Sequence, residues 1–219
     1  METSDLDHMI RRAPIFYKTA LTSIAAVATI SVAMPLTAAQ KNGAVAQDFK
    51  LTDMYGKTVQ LSDFRGKTVV MEWHNPGCPF VVKHYDSGNM QATQAAARKQ
   101  GAVWLTINSG AQGKQGYMKG PEAQKLTKEQ GMNSDHYLLD VKGVVGKAYA
   151  AKTTPHMYII DGSGKLVYQG GIDDKPTANK ADIKVARNHV TAALTELNAG
   201  KSVSVAQSRP YGCSVKYAS

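Results

Sequence analysis

Cysteine is scarce in this chain: Cys78 and Cys213 are the two in 219 residues. A small disulfide-scaffolded domain needs four, six or eight, so that class is excluded, and what remains is one pair or two separate thiols. Long hydrophobic runs are also missing. The longest uncharged apolar stretch, TALTSIAAVATISVAM, covers residues 19–34 and falls short of the roughly 20 residues that a spanning helix requires. There is no block of Lys and Arg, and no basic run interleaved with aromatics. The net charge of +9 is instead scattered through segments such as KGPEAQKLTKEQG and DDKPTANKADIK, which reads as a solvated basic surface rather than a nucleic-acid footprint. No internal repeat occurs. Apolar content of 43% and charged content of 20% are those of an ordinary folded chain, and the length suits one domain.

What is present begins with a processing signal. Arg11, Arg12 and Lys18 precede the apolar run, and PLTAAQ follows it with small residues at Thr37 and Ala39. A basic segment, an apolar segment and a small-x-small site predict a secretory signal peptide over residues 1–39, cut between Ala39 and Gln40. A second cut after Ala46 would trim the first strand. Ala13 and Pro14 after the arginine pair favour the general secretory route over twin-arginine export. Residues 1–39 carry three basic and three acidic side chains, so removing them leaves the charge at +9. The expected location is periplasmic or secreted, with no stable membrane insertion after processing, and in such a compartment a cysteine pair can persist as a disulfide.

Along residues 40–219 the pattern alternates between strand and helix. AQDFKLTD and TVQLSDF around MYGK predict a hairpin. KTVVMEWH and GAVWLTIN read as strands buried on both faces. PFVVKHYDSGNMQATQAAARKQ has a helical period with Phe80, Val81, His84 and Tyr85 near one face. PEAQKLTKEQG predicts a helix with Pro121 in its first turn. A short strand is expected at Tyr137–Leu139 and a short helix near Val144–Tyr149. TTPHMYIIDGSGKLVYQGGID predicts a second hairpin about DGSG. TANKADIKVARNHVTAALTELNAG reads as an amphipathic helix closed by Gly200, followed by a tail from about residue 201 that holds Cys213. Together these give an α/β fold with a central mixed sheet flanked by helices and an N-terminal hairpin extension.

Cys78 falls where a buried strand ends and a helix begins, with Pro79 suited to the first helical position. Its sulfur would face unpaired backbone N–H groups and the positive end of the helix dipole, both of which favour the thiolate. His74, Lys83 and His84 would add positive charge nearby. The plainer alternative is a small buried apolar side chain. Cys213, 135 positions later, would attack an oxidised Cys78 if the tail folds back; otherwise it pins the tail in a static disulfide or meets another subunit. Gly212 would let the backbone approach closely there. His74, His84, His136 and His156 lack ligand spacing, so neither a metal nor a cofactor is expected.

The segments AQDFKLTDMYGKTVQLSDFRGKTVVMEWHNPGCP, TTPHMYIIDGSGKLVYQGGIDD and YGCSVKY, in that order, resemble the thioredoxin-fold redoxins, and closest to them the peroxiredoxin-like (AhpC/TSA-type) proteins of unassigned role. The resemblance runs from about Ala46 to Tyr217. It implies a thioredoxin-like fold and a thiol-dependent oxidoreductase, with Cys78 as nucleophile towards a peroxide or a protein or small-molecule disulfide. Cys213 would then be a resolving thiol, and an external thiol would act as reductant. Val81 stands where thioredoxins carry a second cysteine. Asn75 replaces the Thr or Ser that peroxiredoxins place three residues before the nucleophile, and its amide can orient a peroxide oxygen. The place of the peroxiredoxin arginine falls at Pro155. TTP instead resembles the thioredoxin loop whose proline is cis, with Thr154 and His156 flanking the sulfur and the Thr154 backbone free to pair with a substrate chain. The alternatives are a thiol–disulfide exchange partner of exported proteins and a binding module without turnover.

Overall fold

The computed structural model describes residues 40–218, and the expected signal peptide, residues 1–39, lies outside them. The first described elements are β1 (Lys50–Asp53) and β2 (Thr58–Gln60), an antiparallel hairpin with Leu51 opposite Val59. Its turn is closed by the Asp53 carboxylate, which accepts from the N–H groups of Tyr55 and Lys57. The second strand stops earlier than its alternation suggests, because Leu61–Phe64 form a 3-10 turn. Asp63 accepts the Gln60 N–H and Asp48 the Ser62 N–H, and these local bonds displace the ladder.

β3 (Val69–Trp73) leads into α1 (Pro79–Asp86) and α2 (Asn89–Lys99), then β4 (Val103–Asn108). The single helix expected over residues 79–100 is thus two. Gly88 sits at φ +74°, a left-handed conformation that ends a helix at little cost for glycine alone. α3 (Gly120–Glu129), β5 (His136–Leu139) and α4 (Val144–Ala148) follow as the periodicity predicts. After β6 (Thr153–Thr154) and a cis Thr154–Pro155 bond come β7 (His156–Ile160) and β8 (Leu166–Gly170), the hairpin about DGSG. The last predicted helix is also divided, into a 3-10 segment at Lys180–Val185 and α5 (His189–Asn198). Asn188 caps α5 by accepting from the Thr191 N–H. The chain ends in an extended strap containing β9 (Cys213–Ser214).

The seven-stranded sheet runs β2-β1-β5-β4-β3-β7-β8, with β3 parallel to β4 and antiparallel to β7. A parallel β-α-β unit joined to an antiparallel β-β-α unit across one central strand is the thioredoxin-like fold, here extended by the β1–β2 hairpin. All five β3 residues are buried. Val70 packs on the face covered by Val81 and Tyr85 of α1, Met90 and Ala97 of α2, and Val190 and Leu194 of α5. Met71 and Trp73 point to the opposite face, towards Val145, Ala148 and Tyr149 of and beside α4. β3 therefore ends at a fixed place, and the residue that starts α1 is fixed with it. Among the described residues no helix is long and apolar enough to cross a membrane.

Candidate active site

Cys78 is the N-cap of α1, in extended conformation at φ −84°, ψ 122°, with Pro79 at the helix start. Its N–H donates to the Asn75 carbonyl, and its own carbonyl accepts from Val81 and Val82. The side chain is fully buried. The sulfur lies 2.9 Å from the Thr154 carbonyl oxygen, to which the thiol donates, and 3.4 Å from the Cys213 nitrogen, whose N–H donates to it. Both cysteines are free thiols.

Cys213 arrives through a two-residue antiparallel pair, β6 with β9, that sets Thr154 opposite Cys213 and Thr153 opposite Ser214. This pairing depends on Gly212. At φ +134°, a Cβ there would stand 2.0 Å from the Thr154 carbonyl oxygen, so any side chain would push the strap off the loop. Cys78, Pro79, Thr154, Pro155 and Cys213 are thereby gathered at one point, although 135 positions separate the two thiols.

The two sulfurs differ in acidity. Burial pushes Cys78 up, but hydrogen bonds outweigh it, that from the Cys213 thiol foremost, and hold Cys78 below its ordinary value. Cys213 is pushed up to about 11, by burial first and then by donating to Cys78 and by the charge Cys78 carries when ionised. Of the two thiols, Cys78 is the one that ionises first, and its anion opposes ionisation of Cys213.

Other expected neighbours act differently. The Asn75 Oδ1 accepts from the Gly77 N–H at 2.9 Å, and its Nδ2 donates to the Gln115 Oε1 at 3.0 Å. Gln115 in turn donates from Nε2 to the Gly77 carbonyl. The Asn75 amide is thus committed to bracing the turn before Cys78, and Gln115 closes the brace from the Gly-rich loop. His74 and His84 do not supply positive charge. Burial lowers His74 to about 3 and His84 to about 4, so both are neutral near pH 7. The Lys83 Nζ donates to the Lys175 carbonyl and sits 3.7 Å from Asp173. The His156 Nδ1 accepts from the Lys152 N–H and contacts the Tyr158 hydroxyl, a network separate from the sulfur.

Two features went unread in the sequence. Glu72, on β3 six residues before Cys78, is fully buried. Burial raises its carboxyl to about 7, against donation from Tyr85, Trp104, Gln94 and Thr106. A lone carboxylate inside VVMEW was a legible signal. The second is a polar cluster of Lys83, His84, Asp173 and Tyr211 under the strap, which no local pattern announces because its members come from three distant segments. A cleft of about 550 Å3, lined by Phe80, Thr153, Asp173, His189 and Arg209 to Gly212, runs beside the strap. A cavity of about 680 Å3 between β1 and α4 has none of the thiol-site residues in its lining.

Residues 42–169 match the AhpC/TSA family. A chloroplastic peroxiredoxin Q of Triticum aestivum is 30% identical over 146 residues, 53% of this chain and 62% of that protein, so the match spans under two thirds of the relative. Among solved structures, a hypothetical protein of Sinorhizobium meliloti 1021 is 26% identical with a TM-score of 0.69, covering 84% of this chain and 98% of that one. An uncharacterized conserved protein of Geobacillus kaustophilus is 29% identical with a TM-score of 0.68, covering 81% and 93%.

Proposed function

The chain belongs to the AhpC/TSA family, and from that premise we propose that it is an exported thiol-dependent peroxidase in which Cys78 is the nucleophile and Cys213 resolves it. The observation that carries the reading is the juxtaposition of a low-acidity Cys213 with an acidified Cys78 across the β6–β9 pair. The Cys78 thiolate attacks the O–O bond of a peroxide ROOH, takes one oxygen, and releases ROH with the proton left by Cys78. The sulfenic acid so formed is attacked by Cys213, which gives the Cys78–Cys213 disulfide and water. An external dithiol, itself oxidised to a disulfide, returns both thiols.

The α1 N-terminus and the Cys213 donors stabilise the attacking anion. The relative of the same family is named a peroxiredoxin, which supports peroxide as substrate. The test is peroxide consumption by the purified protein with a dithiol reductant, with peptide mapping after one equivalent of peroxide. A Cys78–Cys213 link is expected; unchanged thiols after peroxide treatment overturn the reading.

One observation favours a second substrate class. The Thr154 backbone already accepts an antiparallel partner, the strap, so an extended protein chain that displaces the strap would present a disulfide to Cys78. Trapping a mixed disulfide with Cys213→Ser separates that reading from peroxide reduction. The export proposal rests on residues 11–40 and has its own check: the intact mass of exported protein should begin at Gln40, and retention of Met1 in cytosolic material would overturn it.

A further inference from the structure

Cys78 is fully buried, and what buries it is a strap whose own backbone pairing is two residues long. Something else must hold that strap in register. Its anchors are a serine before the thiol, a tyrosine two residues before it, and backbone bonds after it. The Ser208 hydroxyl meets the Tyr168 hydroxyl and the Gly171 N–H, and the Val215 N–H donates to the Lys152 carbonyl. Between these lies Tyr211, the most deeply buried residue of the strap, at 8% exposure.

The Tyr211 ring packs edge-on against Phe80, the residue after Pro79, with centroids 5.9 Å apart, and the Lys83 ammonium lies 5.6 Å from its centroid. Its hydroxyl closes a directed chain. Asn89 donates to the His84 Nδ1, so the His84 Nε2 carries the proton and donates to the Tyr211 oxygen, which donates to the Asp173 Oδ1. The Asp173 Oδ2 faces Lys83 at 3.7 Å and His84 at 3.8 Å. A buried carboxylate needs such donors, and one of them is borrowed from the strap. The residue after Tyr211 is Gly212, which permits the close approach to Thr154, and the next is Cys213.

We infer that Tyr211 is a positioning residue for the thiol pair: its hydroxyl, fixed by Asp173 and His84, latches the strap so that Cys213 is presented to Cys78 and Cys78 is closed to solvent. The inference rests on the reading of Cys78 and Cys213 as a working pair. It adds that the geometry of the pair is set from outside it, by a cluster on α1 and the segment after β8. Opening of the strap between Ser208 and Val215 is then the step that admits an oxidant or reductant, and the latch sets how often it occurs.

The experiment compares the reduced parent chain with Tyr211→Phe, which keeps the ring and removes the hydroxyl. Alkylation of Cys78 by a small neutral thiol reagent is followed by mass spectrometry against pH. The limiting alkaline rate should rise about tenfold, the change in an opening equilibrium when one hydrogen bond to a charged group is lost, and the midpoint should move up towards the free-thiol value of about 8.5. After one equivalent of hydrogen peroxide, the variant should give more sulfinic acid and less Cys78–Cys213 disulfide. A purely structural role would lower the melting temperature and leave the alkylation midpoint where it is, and that outcome overturns the inference. Should Tyr211→Phe fail to fold, Asp173→Asn decides: it keeps the shape of the group that the Tyr211 hydroxyl donates to and removes its charge, and should give the same two alkylation changes, whereas a parent-like profile refutes the latch. Alkylation needs no peroxide turnover, so inertness to peroxide combined with altered alkylation would refute the peroxidase reading and keep the latch.

Discussion

The two thiols are held by very different pieces of protein. Cys78 caps a helix with Pro79 at its head, one short turn after β3, a strand buried along its whole length and hydrogen-bonded on both sides. Cys213 stands on a strap with two residues of strand pairing, a few further backbone bonds on either side of it and a handful of side-chain anchors. Moving the first requires disturbing the core, while moving the second requires breaking a few local bonds. On the proposed reading, a redox pair built this way would keep its nucleophile rigid and make its partner the movable half.

The strongest way to break the comparison is to remove each sulfur in turn. Cys78→Ser should abolish peroxide consumption altogether, whereas Cys213→Ser should permit the first oxidation and then stall or overoxidise, with two oxygens added to Cys78 by mass. Equal behaviour of the two variants would make Cys213 a bystander.

The next effect is on stability. Trp73, which ends β3, packs against Tyr158 with centroids 5.0 Å apart and donates from its indole to the Ser109 hydroxyl. Trp73→Ala should cost about 3–5 kcal/mol in denaturant unfolding. Gly212→Ala, in the strap, should cost well under that while changing Cys78 reactivity more. A strap substitution as destabilising as the strand substitution would erase the distinction.

A third outcome concerns pH. The folded-state value of Glu72 is about 7, above its ordinary 4.5. Glu72 therefore supports folding fully below about pH 4.5, and that contribution is lost as pH rises through about 7, a change of about 3 kcal/mol. Glu72→Gln should flatten the decline between those values when unfolding free energy is measured across the range. An unchanged slope would show that the buried carboxyl titrates normally.

The smallest expected effect is the most specific. In Cys213→Ala the thiol donor to Cys78 is gone, and the alkylation midpoint of Cys78 should rise towards that of an ordinary thiol. A midpoint that stays put would assign the acidity to the α1 N-terminus alone.

These contrasts parallel what was readable in advance. The β3–α1 junction was legible because its signals are local: a β-branched apolar run, then Cys-Pro, then a helical period. The hairpins at residues 50–60 and 156–170 were legible for the same reason, through alternation around turn residues. Where reading failed, a side chain or a backbone angle intervened. Gly88 split one expected helix, Asn188 capped another part-way, and Asp48 and Asp63 turned the end of a strand into a 3-10 turn. Asn75 was readable as a polar residue near the sulfur, but its bond to Gln115, 40 positions away, was not.

By itself, the sequence determined that the chain has a sheet with a cysteine at a strand-to-helix junction, because periodicity and capping act over a few residues. It also marked Gly212 as a residue that would permit a close backbone approach or a turn in the tail. Only the tertiary structure decided that Cys213 reaches Cys78, that His74 and His84 are neutral, and that Tyr211 reaches Asp173. Each of these depends on burial and on contacts between segments tens to more than a hundred residues apart, and neither desolvation nor long-range pairing is written in any local pattern.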